Sequence, residues 1–195
     1  AAANQPALAS LHFTAMHTLH DLETGALAGA RHVRLTGLGL RQFPRQLFCL
    51  ADSLEVLDLS GNQLASLPDD LHRLHRLRIL FASDNPFTEL PIALGQSTLL
   101  EMVGFKACRI EHVPAQSLPP QLRWLILTDN RIEQLPASLG QRPRLQKLML
   151  SCNQLSDLPD LSACHRLELL RLAGNRLREV PTSLLTLPAL AWLAL

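Results

Sequence analysis

Apolar residues recur along the chain in a fixed pattern, L-x-x-L-x-L-x-x-N-x-L-x-x-L-P, in which x is any residue and other apolar residues replace some leucines. The pattern recurs every 22–24 residues, starting at Ala30, Leu54, Leu77, Leu100, Leu122, Leu145, Leu167 and, in a shortened copy, Leu190. A fixed period of this length indicates that each copy is one structural unit that buries its apolar side against the next. The pattern therefore predicts a linear stack of similar units.

Each unit is predicted to contribute one short strand to a long parallel sheet, whose strands lie about 4.8 Å apart. The leucines at positions one, four, six and eleven of the unit then point inward. The amide at position nine can satisfy backbone groups that the sheet does not reach. That row reads Leu38, Asn62, Asn85, Cys108, Asn130, Asn153 and Asn175, so we expect the first unit to be the least regular. The L-P pair predicts an extended or turn-like return on the opposite side.

This template resembles that of LP-type leucine-rich repeats, a family in which Cys is an alternative to Asn at position nine. The resemblance implies an α/β fold, a leucine-rich repeat solenoid shaped as a curved right-handed horseshoe with its parallel sheet on the concave face. We expect residues 30–195 to form seven full repeats and a truncated eighth.

The two ends of the array differ. Residues 1–29 lack the template and are predicted to be a flexible start followed by an N-terminal helical cap, since Met16, Leu19 and Leu22 have helical spacing and Gly25 follows. Such a helix would cover the edge of the first strand. The eighth unit stops at Leu195 without a polar cap. We therefore expect the polypeptide to continue, or a second copy to associate at this C-terminal edge.

Composition limits the class of partner and the compartment. The formal net charge is +1, which argues against a general nucleic-acid-binding surface. No apolar stretch is long enough to cross a membrane, so no membrane span is predicted. The four cysteines are not clustered and no N-x-S/T sequon is present. These features favour a reducing, cytoplasmic location.

Several residue pairs could carry chemistry, but none completes a site. His17 and His20, and likewise His72 and His75, are one helical turn apart, yet the sequence places no third metal ligand beside them. Cys152 has no neighbouring base to activate it. Asp84 and Asp129 hold equivalent positions two units apart, on an open surface rather than in a pocket. We predict a chain without catalytic residues, metal or cofactor.

Positions three and five of each unit project from the concave face of the predicted sheet. Apolar residues there are predicted to form one continuous, water-exposed field: Val56, Ile79, Phe81, Met102, Trp124, Ile126 and Met149. The charged residues around it are Arg34, Asp58, Lys147 and Arg171, and Gly104 is expected to leave a notch beside Phe81 and Ile126. Strand propensity alone explains one or two such residues but not a contiguous field. An apolar centre with a charged rim is typical of a protein-binding surface.

A narrower resemblance concerns the parent protein. The segments LEVLDLSGNQLASLP, LEMVGFKACRI and LRWLILTDNRIEQLP are similar to the N-terminal region of bacterial leucine-rich repeat protein kinases. In that family a kinase domain follows the repeats, but none of its phosphate-binding or catalytic motifs occurs in this chain. Two functions therefore remain open. The favoured one is a non-catalytic protein-interaction module, and the alternative is a regulatory domain of a serine/threonine kinase whose catalytic domain lies beyond Leu195.

Overall fold

The computed structural model describes residues 16–195, which contain one short helix, α1 (Leu19–Glu23), and a sheet of eight strands. Every strand pairs in parallel with the next one along the chain, so the spatial order equals the sequence order and the sheet does not close. The strands are β1 (His32–Arg34), β2 (Val56–Asp58), β3 (Ile79–Phe81), β4 (Met102–Gly104), β5 (Trp124–Ile126), β6 (Lys147–Met149), β7 (Leu169–Arg171) and β8 (Trp192–Ala194).

The register of the sheet follows the sequence template. Each strand consists of positions three, four and five of its unit, and equal positions lie opposite one another, as with Leu125 and Leu148. The position-four side chains of β1 to β7 are buried in one continuous core with the leucines of positions one, six and eleven. The predicted parallel sheet and its inward-facing leucines are therefore confirmed.

The return segments lie on the side opposite the sheet and include short 3-10 helices. These span Arg45–Leu50, Leu71–Arg73, Ile92–Gln96, Ala115–Ser117, Ala137–Gln141 and Thr182–Thr186. Five of the six directly follow a template proline, at 44, 91, 114, 136 and 181. Proline fixes the backbone at the start of such a turn and needs no hydrogen-bond acceptor there.

An asparagine at position nine, buried or partly buried, links five of the units to the preceding one. In Asn130 the side-chain nitrogen donates to the carbonyls of Phe105 and Leu127, at 2.9 Å each, and the side-chain oxygen accepts from the N–H of Ile110 at 3.0 Å. The amides of Asn62, Asn85, Asn153 and Asn175 bridge successive units in the same way. Cys108 makes weaker sulfur contacts, among them those to the carbonyls of Ala82 at 3.5 Å and Lys106 at 3.7 Å.

Position eight adopts a left-handed backbone in every complete unit. Glycine holds this position in three units, and the other four carry Asp84, Ala107, Asp129 and Cys152, with φ values of 53–61°. A side chain in this conformation costs about 1–2 kcal/mol, and aspartate is among the residues that tolerate it best. Ala107 and Cys152 therefore retain local strain.

Two glycines on the convex side explain how units of 22 residues fit among units of 23 and 24. A β-carbon built on Gly95 would lie 1.7 Å from the carbonyl oxygen of Gln116, in the 22-residue unit that begins at Leu100. A β-carbon on Gly140 would lie 2.0 Å from the carbonyl oxygen of Asp160, in the other 22-residue unit. Each short unit thus brings its backbone against a glycine of the unit before it.

The N-terminal segment covers the edge of β1, although its helix is shorter than the spacing predicts. Thr18 and Asp21 form a reciprocal capping box, and Leu22 is buried. The N–H of His17 donates to the carbonyl of Arg34 at 2.8 Å, and its Nδ1 accepts from the N–H of Arg34 at 3.1 Å. Met16 lies before the helix and is 56% exposed, so its predicted place on the helix is wrong. The predicted flexible start falls mainly on residues outside those described.

Candidate functional site

Four position-three residues on the concave face form a buried row. Val56, Ile79, Met102 and Trp124 lie on adjacent strands, are 7%, 5%, 3% and 1% exposed, and pack with Phe81 into a cluster separate from the main core. The prediction of a row facing water is therefore wrong for these four residues. Side chains at strand spacing cover one another, and the largest of them, Trp124, is enclosed from several sides.

Trp124 is covered on its ring face and bound at its edge. The Nζ of Lys147 lies 4.0 Å from the ring centroid, in a cation–π contact. The indole N–H donates to the side-chain oxygen of Gln146 at 3.2 Å, and that oxygen also accepts from Nη2 of Arg123 at 3.2 Å. Both contacts come from consecutive residues of the next unit, Gln146 at position two and Lys147 at position three. The ring is therefore part of the framework of the site.

Gly104 does not leave the predicted notch, because the ring of Phe81 occupies the space. A β-carbon built on Gly104 would lie 2.4 Å from Cδ1 and 2.8 Å from Cε1 of Phe81. Phe81 and Gly104 hold position five on adjacent strands and face each other in the register. The missing side chain lets the aromatic ring rest against the backbone of β4.

Three residues of the predicted apolar field remain partly exposed on the concave face: Phe81, Ile126 and Met149, which we call the concave patch. They hold position five on β3, β5 and β6 and lie beside the buried row. Among the predicted charged neighbours, Asp58 and Lys147 are partly exposed and Arg171 is exposed. Oδ2 of Asp58 is 3.9 Å from Nε of Arg34. The structure thus brings the predicted residues to one face but leaves only some of them accessible.

A ladder of alternating charges, which the sequence analysis missed, runs along position two. Arg31 pairs with Glu55, Arg78 reaches Glu101 at 3.1 Å, and Arg123 reaches Glu101 at 3.6 Å. The hydrogen bond from Arg31 is the main reason that the pKa of Glu55 is lowered. The alternation of Arg and Glu at one template position was the available signal. These residues form ion pairs because the strands are in register, which places equal template positions side by side.

A shallow groove of about 420 Å³ lies along the continuation of this ladder, beside β5, β6 and β7. Its lining includes the ionisable residues Glu101, Arg123, Arg144, His165, Arg166 and Glu168. The groove adjoins the concave face because Arg123 and Glu168 each precede the first residue of a strand. Its surface is polar and is unlike the neighbouring concave patch.

None of the histidine pairs gains the further ligands that a metal site needs within the described residues. Across residues 16–195, no three His, Cys, Asp or Glu side chains converge as potential metal ligands. Nε2 of His75 lies 3.0 Å from Oδ1 of Asp52. Burial raises the pKa of the Cys108 and Cys164 thiols, and all four cysteines are unpaired. No helix in the described part of the chain is long and apolar enough to cross a membrane.

Comparison with known proteins identifies leucine-rich repeats in this chain. A leucine rich repeat family model matches residues 120–177, and a second one matches residues 53–74. The ectodomain of the plant membrane receptor kinase GASSHO1/SCHENGEN3 from Arabidopsis thaliana matches 89% of this chain, with a TM-score of 0.75 and 28% identity. The chain is a leucine-rich repeat solenoid. The receptor ectodomain was solved in complex with CASPARIAN STRIP INTEGRITY FACTOR 2. The match covers 22% of the ectodomain chain.

Two curated relatives match over shorter stretches. The probable serine/threonine-protein kinase roco9 of Dictyostelium discoideum is 41% identical over 61 residues, which is 31% of the solenoid and 2% of that protein. Vasorin of Mus musculus is 34% identical over 113 residues, which is 55% of the solenoid and 17% of that protein. The solenoid therefore spans a small part of either relative.

Proposed function

We propose that this solenoid is a non-catalytic module that binds a protein partner on its concave face. The observation that carries the proposal is the concave patch, in which Phe81, Ile126 and Met149 stay partly exposed beside charged Lys147 and Arg171. A binding surface with an apolar centre and a charged edge gains affinity from the centre and specificity from the edge.

The buried row beside the patch supports the same proposal. Trp124, Met102 and Ile79 fix the side-chain positions next to the accessible residues, because each is enclosed by its neighbours. A surface that is already ordered loses less conformational entropy when a partner binds. The leucine-rich repeat ectodomain of GASSHO1/SCHENGEN3, which has the same fold, was solved with a bound partner.

A matched pair of substitutions tests the placement of the site. Ile126→Asp introduces a charge into the concave patch, and Ile92→Asp introduces the same charge on the convex side, where Ile92 is also exposed. A partner captured from cell extract and then purified should bind the Ile92 variant as it binds wild type, and bind the Ile126 variant about tenfold or more weakly. Equal binding by both variants, with melting temperatures matched, would refute the concave placement.

The alternative function is a regulatory domain of a protein kinase, as the resemblance to bacterial leucine-rich repeat kinases suggests. The similarity to 61 residues of roco9 favours an association with kinases. The coding sequence after Leu195 tests this alternative. A G-x-G-x-x-G motif followed by H-R-D would support it, and an unrelated domain or a stop codon would remove it.

We also propose a cytoplasmic location and self-association through the C-terminal edge. All four cysteines are unpaired, as a reducing compartment requires. In the described part of the chain, β8 pairs only with β7, and its first residue, Trp192, is 71% exposed. Cell fractionation tests the location. Sedimentation of the 195-residue chain and of Trp192→Lys tests the association, which the substitution should weaken.

A further inference from the structure

Four cations in the C-terminal half of the solenoid, two on the concave face and two in the adjoining groove, have no carboxylate partner among the described residues. Lys147, Arg171, Arg144 and Arg166 form no ion pair with any other described residue. The N-terminal half differs, because Arg34 faces Asp58, and Arg31 and Arg78 lie in the ladder with Glu55 and Glu101. At positions three and five of the concave face, Arg34 is therefore paired, whereas Lys147 and Arg171 are not.

Two of these cations flank an accessible apolar residue, and the other two line the adjoining groove. Met149 lies two residues after Lys147 on β6, so both side chains project from the concave face, and Arg171 is its partner in the register of β7. Arg144 and Arg166 line the neighbouring groove, where Glu101 is already paired with Arg78 and Arg123. Glu168 is the remaining carboxylate of the groove. Positive charge therefore exceeds negative charge both beside Met149 and in the adjoining groove.

We propose that the partner presents an acidic segment, in which Asp or Glu residues flank one or two large apolar residues. This inference deepens the proposed function and depends on it. The apolar residues would contact Phe81, Ile126 and Met149, and the carboxylates would contact Lys147, Arg171 and the groove arginines. Arginine can bind a carboxylate through two parallel hydrogen bonds, and complementary charge raises both association rate and specificity. The apolar patch between the cations favours a peptide over a nucleic acid.

A random linear peptide display library is the probe that tests this inference. Selection on the wild-type solenoid should enrich peptides with acidic residues next to a large apolar residue. The affinity of the strongest synthetic peptide should fall about tenfold or more when salt rises from low to several times physiological concentration. Lys147→Glu/Arg171→Glu should weaken binding by at least the same factor. Arg131→Glu/Arg176→Glu, at two exposed sites outside the strands, carries the same charge change and should leave binding unaltered.

A second charge variant is needed because Lys147 also covers Trp124. Arg144→Glu/Arg166→Glu changes two exposed groove residues without touching that ring, and it should also weaken the peptide. Loss of binding in Ile126→Asp but in neither charge variant would overturn the acidic-segment inference and leave the proposed concave site standing. Binding that none of these variants affects would overturn both. Enrichment of basic peptides, or tighter binding of a single-stranded oligonucleotide at the same residues, would overturn the inference.

Discussion

The ammonium nitrogen of Lys147 lies 4.0 Å from the centroid of the Trp124 ring, on the adjacent strand of the concave face. Lys147 therefore ends the buried apolar row at position three, and its side chain covers Trp124, the largest residue of that row. Gln146, one residue earlier, accepts a hydrogen bond from the indole N–H. A residue that the sequence pattern presents as an exposed contact is thus a structural element of the face.

Replacing Trp124 should destabilise the fold, which reverses the expectation for an exposed contact residue. Trp124→Ala should lower the free energy of unfolding by about 3–5 kcal/mol, because a buried aromatic side chain leaves a cavity that its neighbours fill only in part. Trp192 is the matched control, since it is 71% exposed at the sheet edge. Trp192→Ala should change stability by no more than about 0.5 kcal/mol. Urea unfolding of both variants measures the difference, and equal losses would contradict the burial of Trp124.

Adjacent residues of β5 should respond very differently to truncation. Leu125 is fully buried in the main core, and Ile126 is partly exposed on the concave face. Leu125→Ala should cost about 2–5 kcal/mol, because the neighbouring units cannot collapse into the space. Ile126→Ala should cost well under that amount. Thermal or urea unfolding would reveal comparable losses if the strand faced the opposite way.

The sequence predicts the rows of this fold because the template repeats without a break. Strand positions three, four and five alternate in direction, so the burial of Leu125 and the concave direction of Ile126 follow directly. The exposed fraction of each side chain within a row does not follow from the template in the same way. It depends on how far each side chain reaches, and the ring of Trp124 and the stem of Lys147 together close their part of the row.

Gly104 is a second position at which the sequence does not predict how side chains pack on the concave face. The sequence shows that a side chain is missing at position five of β4, but it does not show which neighbour turns into the space. The ring of Phe81 does so, and the predicted notch disappears. The position-two ladder was predictable in principle, because Glu55, Arg78 and Glu101 alternate in charge at equal intervals. Their pairing depends on the in-register sheet, which brings equal positions together.

Gly95 should be intolerant of any side chain. Its backbone is not left-handed, so Gly95→Ala tests steric fit alone. The new β-carbon would meet the carbonyl oxygen of Gln116, and such overpacking costs about 1–3 kcal/mol or more. Gln96→Ala, at the exposed neighbouring position, should change stability by no more than about 0.5 kcal/mol. Equal melting temperatures for the two variants would show that the convex side can shift to make room.

Ala107 should gain stability from substitution by glycine. Ala107→Gly removes a left-handed strain of about 1–2 kcal/mol. It adds backbone freedom to the unfolded chain, which costs about 0.5–1 kcal/mol. The expected net gain is about 0.5 kcal/mol. Ala115 has no left-handed backbone, so Ala115→Gly should instead lose about 0.5–1 kcal/mol. Urea midpoints of the two variants should therefore move in opposite directions, and a shared direction would contradict the strain at Ala107.

Asp70 should make stability depend on acid pH. The hydrogen bond from Arg45, followed by that from Arg73, lowers the pKa of Asp70 to about 2. In the unfolded chain an aspartate titrates near pH 4, with a pKa of about 3.9. A carboxylate whose pKa is lowered by folding stabilises the fold above the unfolded value, and this contribution is lost as the pH falls through the folded value.

Asp70→Asn should therefore be less stable than wild type at neutral pH, and the difference should shrink as the pH falls from about 4 to about 2. Both partners are arginines with exposed side chains, so added salt should also reduce the difference. Asp69→Asn is the matched control, because Asp69 is exposed and forms no ion pair with another described residue. Urea unfolding at several pH values measures all three proteins. A difference between wild type and Asp70→Asn that stayed constant across this pH range would mean that the two arginines do not stabilise the Asp70 carboxylate.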